Sequence, residues 1–425
     1  MSTNLAELET KGRAAKAAAR QLSRLSTEVK NKALLRISEC LISGQQEILT
    51  ANQRDCAAAE SAGMSAAMFD RLLLNPSRIA AMAEDVGAVA ALPDPVGEVF
   101  DMRTLPNGLQ IGRKRVPLGV IAAIYESRPN VTVDISALCL KSGNAVILRG
   151  GREAINSNLA LARTVQRAAI EAGMPVGSVQ MIESTDRAVV DQMLKMNGVI
   201  DLIVPRGGAD LIRFVDSQAT MPVLAGGIGV CHTYVDSSAD LQNAVAIVYN
   251  AKVQRPTVCN ALDTILVHRN VAGEFLKLIS VEFGRAGVEM HCDAASHELL
   301  QKDNAALKLV AASEEDWGKE FLALVAAVKV VGSLNEALEH IERYGSGHSE
   351  AIVTEDYSAG MRFLNEVDAA CVYINASTRF TDGGQFGLGA EVGISTQKFH
   401  ARGPLGLREL TSYKWIILGT GQIRP

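Results

Sequence analysis

The chain has 425 residues, 48% of them hydrophobic and 21% charged, with 42 Lys and Arg against 47 Asp and Glu. This length allows two or three domains with sizeable cores, and a net charge of −5 with scattered basic residues gives no support for binding nucleic acid or acidic membranes. Seven cysteines without a CxxC pair and seven histidines without an HExxH-type cluster argue against a disulfide framework, a structural zinc site and metal catalysis.

The first ten residues are acidic and lack an apolar segment, so no signal peptide is expected. No apolar run is long enough to span a bilayer, and the dispersed free thiols fit a cytoplasmic protein. Residues 1 to about 92 read as helical: Leu5 to Leu49 is rich in Ala, Lys, Arg, Glu and Leu, and Met64 to Leu74 and Arg78 to Leu92 continue until Pro93-Asp94-Pro95. An alternating stretch from Val99 to Val116, turning at Pro106-Asn107-Gly108, reads as a hairpin with too little core to stand alone, so it is expected to pack on another subunit. From Pro117 to Val230, strand, Gly-rich turn and helix repeat, with strands at Gly119–Tyr125, Ala145–Leu148, Val179–Ile182 and Val199–Val204. A second series runs from Cys231 to Asn375, with strands near Thr264–Val267, Val328–Val331, Ala351–Thr354 and Cys371–Ile374, and Lys414–Leu418 adds a last strand. This alternation predicts an α/β fold of two parallel-sheet lobes, with ligands at the carboxyl ends of strands in a cleft between them.

Six segments are candidates for a functional site. Cys259 follows a helix-like stretch, Leu241 to Ala251, and precedes an apolar strand. It reads as a nucleophile or as a packed thiol. The turns Leu148-Arg149-Gly150-Gly151-Arg152 and Val204-Pro205-Arg206-Gly207-Gly208 lead from strand to helix. Their glycines admit a phosphate to backbone amides, or simply make a tight turn. Neither matches GxGxxG or a Walker loop. Arg149 and Arg152 are placed for a further phosphate, such as the 2′-phosphate of NADP. In Tyr125–Thr132, the Asn130 amide either stabilises an oxyanion or caps the next helix. The Gly-rich stretch Pro222–Gly229 marks a close approach of backbone and holds no acid or base. The long polar loop Asn375–Glu391 either offers Arg379 to a substrate carboxylate or plays a structural role.

Together, the stretches VPLGVIAAIYESRPNVTVDISALCLKSGNAVILRGG, VPRGG, GGIGVCHTYVD, NAKVQRPTVCNALDT and NASTRFTDGGQFGLGAEVGISTQKFHARGPLGL resemble the gamma-glutamyl phosphate reductases, a branch of the aldehyde dehydrogenase superfamily. The resemblance covers essentially the whole chain. It implies an aldehyde dehydrogenase-like fold, with residues 1–98 and 118–230 binding NADP, 231–395 forming the catalytic domain, and 99–117 with 411–425 forming a β-ribbon for oligomerisation. It makes Cys259 the nucleophile and Asn130 the oxyanion-hole amide. Arg149 falls where the superfamily has a cofactor-ribose lysine, Arg206-Gly207-Gly208 on the pyrophosphate-binding helix start, and Glu320 near the acid that holds the nicotinamide ribose. Hydrolytic relatives have a glutamate just before the Gly pair to activate water. Leu224 stands there, so the thioester has no built-in route to a free acid.

The implied reaction is reduction of L-glutamyl 5-phosphate by NADPH through a cysteine thioester, the second step of proline biosynthesis, with no metal. Arg128, Arg255 and His348 are the cations expected to assist the leaving phosphate. A homo-oligomer and a glutamate 5-kinase that hands over the labile acyl phosphate are the expected partners, with no fused kinase domain. The alternatives are a hydrolytic NAD(P)-dependent aldehyde dehydrogenase and a catalytically silent nucleotide-binding scaffold.

Overall fold

The computed structural model describes residues 3–224, 226, 228–301 and 308–424. The chain divides into two compact units: 1–226, 387–393 and 405–425 form the first, and 227–386 and 394–404 the second. The expected catalytic stretch, 231–395, is therefore interrupted. Residues 387–393 join the first unit because the Val392 N–H donates to the Leu405 carbonyl and the Leu405 N–H to that of Gly393, pairing two segments of that unit.

The first unit opens with five helices, α1 (Thr3–Leu22), α2 (Thr27–Ser43), α3 (Gln45–Ser61), α4 (Ala66–Leu72) and α5 (Pro76–Ala91). Their boundaries follow ordinary capping chemistry. Ser26 accepts from the Val29 N–H at the start of α2, and Asn75 accepts from Arg78 with Pro76 in the first turn of α5. An antiparallel pair follows, β1 (Val99–Thr104) and β2 (Gln110–Pro117). The alternating βα series is β3 (Val120–Tyr125), α6 (Asn130–Lys141), β4 (Ala145–Gly150), α7 (Ile155–Glu171), β5 (Val179–Met181), α8 (Arg187–Met193), β6 (Leu202–Arg206) and α9 (Ala209–Gln218). Its strands form a parallel sheet in the order β5-β4-β3-β6. β3 is buried throughout, which is why it reads as an unbroken apolar run.

The second unit contains β7 (Cys231–Val235), α10 (Leu241–Val253), β8 (Leu262–His268), α11 (Arg269–Ala286), β9 (Glu289–Cys292), α12 (Ala294–Gln301), β10 (Lys308–Ala311), β11 (Val325–Val331), α13 (Leu334–Tyr344), β12 (Ser349–Val353), α14 (Tyr357–Glu366) and β13 (Cys371–Ile374). Its seven strands are parallel, in the order β10-β9-β11-β8-β7-β12-β13. Phe275, Ile279 and Phe283 of α11 pack with Val248 of α10 and Ile265 and Val267 of β8 in one apolar cluster. β14 (Ile394–Ser395) and β15 (Gly403–Pro404) form a short separate pair.

The last strand, β16 (Thr411–Leu418), returns to the first unit and pairs antiparallel with β2, making the three-stranded ribbon β1-β2-β16. The Arg113 guanidinium lies 4.9 Å from the Tyr413 ring centre and 5.2 Å from that of Trp415, fixing the ribbon by cation–π contact. Among the described residues, no helix is long and apolar enough to cross a membrane.

Candidate active site

In the first unit, the phosphate-type turns gather at one edge. β3 lies between β4 and β6 in register, so Tyr125 is paired with both Gly150 and Arg206 at the carboxyl ends of all three strands. Arg128, Asn130, Arg149, Arg152, Arg206, Gly207 and Gly208 therefore follow or end neighbouring parallel strands, where such sheets bind ligands.

The start of α9 already holds an anion. The Gly208 N–H donates to Oε2 of Glu126 at 3.0 Å, and a Cβ on Gly207 would lie 2.4 Å from that same oxygen. A carboxylate on the helix N-terminus stands in for a phosphate, so the Gly-Gly start fits the pyrophosphate expected from sequence. Arg149 donates to the carbonyls of Gly150 (3.1 Å) and Thr185 (3.0 Å), and burial holds its pKa below the usual arginine value. Its Nε is a buried donor with no protein acceptor, and Arg187 at the start of α8 lies within electrostatic reach. This pair of guanidiniums fits an added phosphate, whereas Arg152 is exposed in the 3-10 turn Arg152–Ala154.

Asn130 is the first residue of α6, and the N-cap position is Pro129, so Asn130 does not cap the helix. Its Nδ2 instead donates to Asp134 Oδ2 at 2.8 Å, one turn further on. Arg128, in the bend before Pro129, is half-buried.

In the second unit, the site lies at the opposite edge to the one expected: Cys259, Gly229 and His348 precede the amino ends of β8, β7 and β12. α10 runs back across the sheet, and the bend at 255–260 delivers the thiol just before β8 begins. The half-buried Cys259 is held on three sides. The Cys231 thiol donates to its carbonyl at 3.2 Å. Asn260 anchors the next residue: its Nδ2 donates to the Thr381 carbonyl at 2.8 Å, its carbonyl accepts from Thr378 Oγ1 at 2.7 Å, and its Oδ1 accepts from Arg379. Gly229 forms the third side, for a Cβ there would lie 1.8 Å from the Cys259 carbonyl oxygen.

Arg379, in the 3-10 turn Thr378–Phe380, also donates from Nε to Gln254 at 2.8 Å. Burial, and the nearby Arg255, push its pKa down, while Asp382 and Cys259 act in the opposite sense. Arg379 and Arg255 thus place two guanidiniums in the neighbourhood of the thiol, suiting an anionic substrate. Glu320 joins the same cluster, since its Oε1 accepts from the Gly229 N–H at 3.2 Å.

His348 is a correction. It is fully buried at the start of β12's edge, its Nδ1 lies 2.8 Å from Ser349 Oγ, and burial drops its pKa to about 4. A buried neutral imidazole cannot grip a leaving phosphate as a cation. It backs the Cys231 thiol instead, at 3.8 Å.

Sequence reasoning missed the braces. Lys252 is fully buried, with Nζ 3.6 Å from Asp263 Oδ1 and 3.2 Å from the Ala323 carbonyl, while Asp263 accepts from the Phe321 N–H at 3.1 Å. The pair thereby fixes the segment that carries Glu320. A lysine at the end of an otherwise apolar helix face was the available signal.

Leu224 is buried, with its N–H donated to the Ile203 carbonyl. Ala225 and Gly227 of the Gly-rich stretch lie outside the described residues. All seven cysteines are free thiols. No group of three or more His, Cys, Asp or Glu among the described residues could hold a metal ion.

These features define a dehydrogenase built on the aldehyde dehydrogenase plan, and the model of the aldehyde dehydrogenase family matches residues 2–296. The chain belongs to that family, as a nicotinamide-dependent oxidoreductase, and within it to the gamma-glutamyl phosphate reductases. It is 61% identical over 424 residues to the gamma-glutamyl phosphate reductase of Dehalococcoides mccartyi strain 195, covering 100% of both chains. It is 54% identical to that of Caldanaerobacter subterraneus subsp. tengcongensis, over 98% of this chain and 100% of the relative. The crystal structure of the Thermotoga maritima gamma-glutamyl phosphate reductase superposes with a TM-score of 0.95 at 49% identity, covering 99% of this chain and 100% of that one.

Proposed function

We propose that the protein reduces L-glutamyl 5-phosphate with NADPH to L-glutamate 5-semialdehyde and phosphate, as the second step of proline biosynthesis from glutamate. The observation that carries this reading is the braced Cys259 turn flanked by Arg255 and Arg379, combined with a buried leucine, Leu224, where a water-activating acid would stand. The Cys259 thiolate attacks the acyl carbon, while the Asn130 amide and the Cys259 N–H hold the oxyanion. Phosphate departs into the field of Arg255, Arg379 and Arg128, leaving the acyl group as a thioester on Cys259. Bound NADPH supplies the hydride that reduces this thioester. Arg149, with Arg187, would hold its 2′-phosphate, Arg206-Gly207-Gly208 its pyrophosphate, and Glu320 its nicotinamide ribose. Collapse of the thiohemiacetal returns the thiolate and releases the semialdehyde.

The ribbon's exposed Trp415, Ile417 and Leu418 support its use in a homo-oligomer. The lability of an acyl phosphate favours hand-over from a glutamate kinase, and seven free thiols suit the cytoplasm. Cys259→Ala should abolish NADPH oxidation with glutamyl phosphate, and a wild-type rate would refute the thioester. Semialdehyde oxidation should require phosphate. Turnover to free glutamate without it would instead establish a hydrolytic aldehyde dehydrogenase.

A further inference from the structure

An amide side chain has two ends of nearly the same shape and opposite polarity, and only the N–H end can stabilise an oxyanion. Nothing in Asn130 itself chooses between them. Its neighbour does, because Asp134 Oδ2 lies 2.8 Å from Asn130 Nδ2. An ionised carboxylate only accepts hydrogen bonds, so it turns the NH2 end towards itself and leaves the second N–H of that group to a substrate oxygen. The i,i+4 spacing on α6 makes this contact a property of the helix, formed before any ligand arrives.

We propose that Asp134 is a positioning residue that fixes the polarity of the Asn130 amide, so that an N–H and not the amide carbonyl meets the thioester oxyanion. This rests on the oxyanion role given to Asn130 above. The surroundings of Asp134 make the lock sensitive to pH. Burial raises its pKa to about 7, the Asn130 hydrogen bond and Arg206 at the end of β6 work downward, and Asp85 on α5 works upward. Protonated Asp134 can donate to the Asn130 carbonyl oxygen, which permits the flipped amide. The lock is therefore half formed at a pH of about 7, strengthens above it and weakens as the pH falls below that value.

The test compares wild type, Asp134→Asn, Asp134→Glu, Asn130→Ala and the double variant Asn130→Ala/Asp134→Asn in the phosphate-dependent oxidation of the semialdehyde, with melting temperatures alongside. Asp134→Asn, which can present either polarity, should lower kcat several-fold with little change in KM, and at most by the roughly hundred-fold expected for loss of an oxyanion donor. Asp134→Glu, which keeps an acceptor, should recover part of the rate. The double variant should be no slower than Asn130→Ala alone. Wild-type kcat in Asp134→Asn, or an equal loss in both backgrounds, would overturn the proposal while leaving the oxyanion role of Asn130 standing. Wild-type kcat in Asn130→Ala would remove both.

Discussion

Replacing Gly229 by alanine is the sharpest probe of how tightly Cys259, the proposed nucleophile, is held. Gly229 has no left-handed backbone angle, so the methyl group acts through space alone, and the N–H that donates to Glu320 is retained. The added Cβ would lie 1.8 Å from the Cys259 carbonyl oxygen, 2.6 Å from its carbon and 2.8 Å from its Cα. All three are backbone atoms, so no side chain can swing away. Restoring ordinary contact at 3.4 Å requires the two segments to part by about 1.6 Å. The Cys259 turn cannot retreat freely, because Cys231 holds its carbonyl and Thr378, Thr381 and Arg379 hold Asn260. A misplacement of about 1 Å at reacting atoms costs roughly 100-fold. The expected result is thus a fall in kcat of about 100-fold or more, near 2.7 kcal/mol, with overpacking adding about 1–3 kcal/mol of destabilisation. The assay is phosphate-dependent semialdehyde oxidation followed by NADPH absorbance, with the alkylation rate of Cys259 and the melting temperature measured on the same samples. A Gly229→Ala protein within about twofold of wild-type kcat and unchanged in melting temperature would show that the turn is not braced against Gly229, and the reasoning would fail.

Two further outcomes follow from the same geometry. Arg149→Ala should raise the KM for NADPH more than that for NADH, and an equal rise for both would remove Arg149 from the 2′-phosphate role. Lys252→Met should destabilise the second unit by about 3–5 kcal/mol by leaving Asp263 buried without its cation. Burial raises the pKa of Asp263 from 3.8 to about 6 even with Lys252 pulling it down, so removing the cation raises it further; the loss, read by thermal unfolding, should be small below about 6, where the folded acid is protonated in both proteins, and should deepen as the pH rises above that value.

Much of the architecture was legible because it is local. The Ala- and Leu-rich helices, the continuous apolar strand Val120–Tyr125 and the turn at Pro106-Asn107-Gly108 each declare themselves within a few residues. β7 went unassigned because its Cys-His pair reads as polar, and β9 because its Glu-Met-His-Cys sequence does too. Burial there depends on neighbours far along the chain. His348 shows the same limit at the level of chemistry. Gly-Ser-Gly-His-Ser looks like an exposed polar turn, yet β12 is inserted between β7 and β13, and pairing on both sides drives the imidazole out of water and holds it neutral.

The reading of Cys259 as the nucleophile comes from long matching segments and not from its spacing, while the means of holding it is invisible to both. Cys231, Gly229, Lys252 and Asp263 are unremarkable in sequence, and each acquires meaning only when β7, α10 and β8 are brought side by side. The two units also use opposite ends of their sheets. The first presents phosphate-type turns at strand carboxyl ends, where helix N-termini supply positive charge, while the second presents its thiol at strand amino ends. In the proposed reaction, positive charge for an anionic substrate would then come from side chains there, and Arg255 and Arg379 would be the second unit's counterpart of the Gly207-Gly208 helix start.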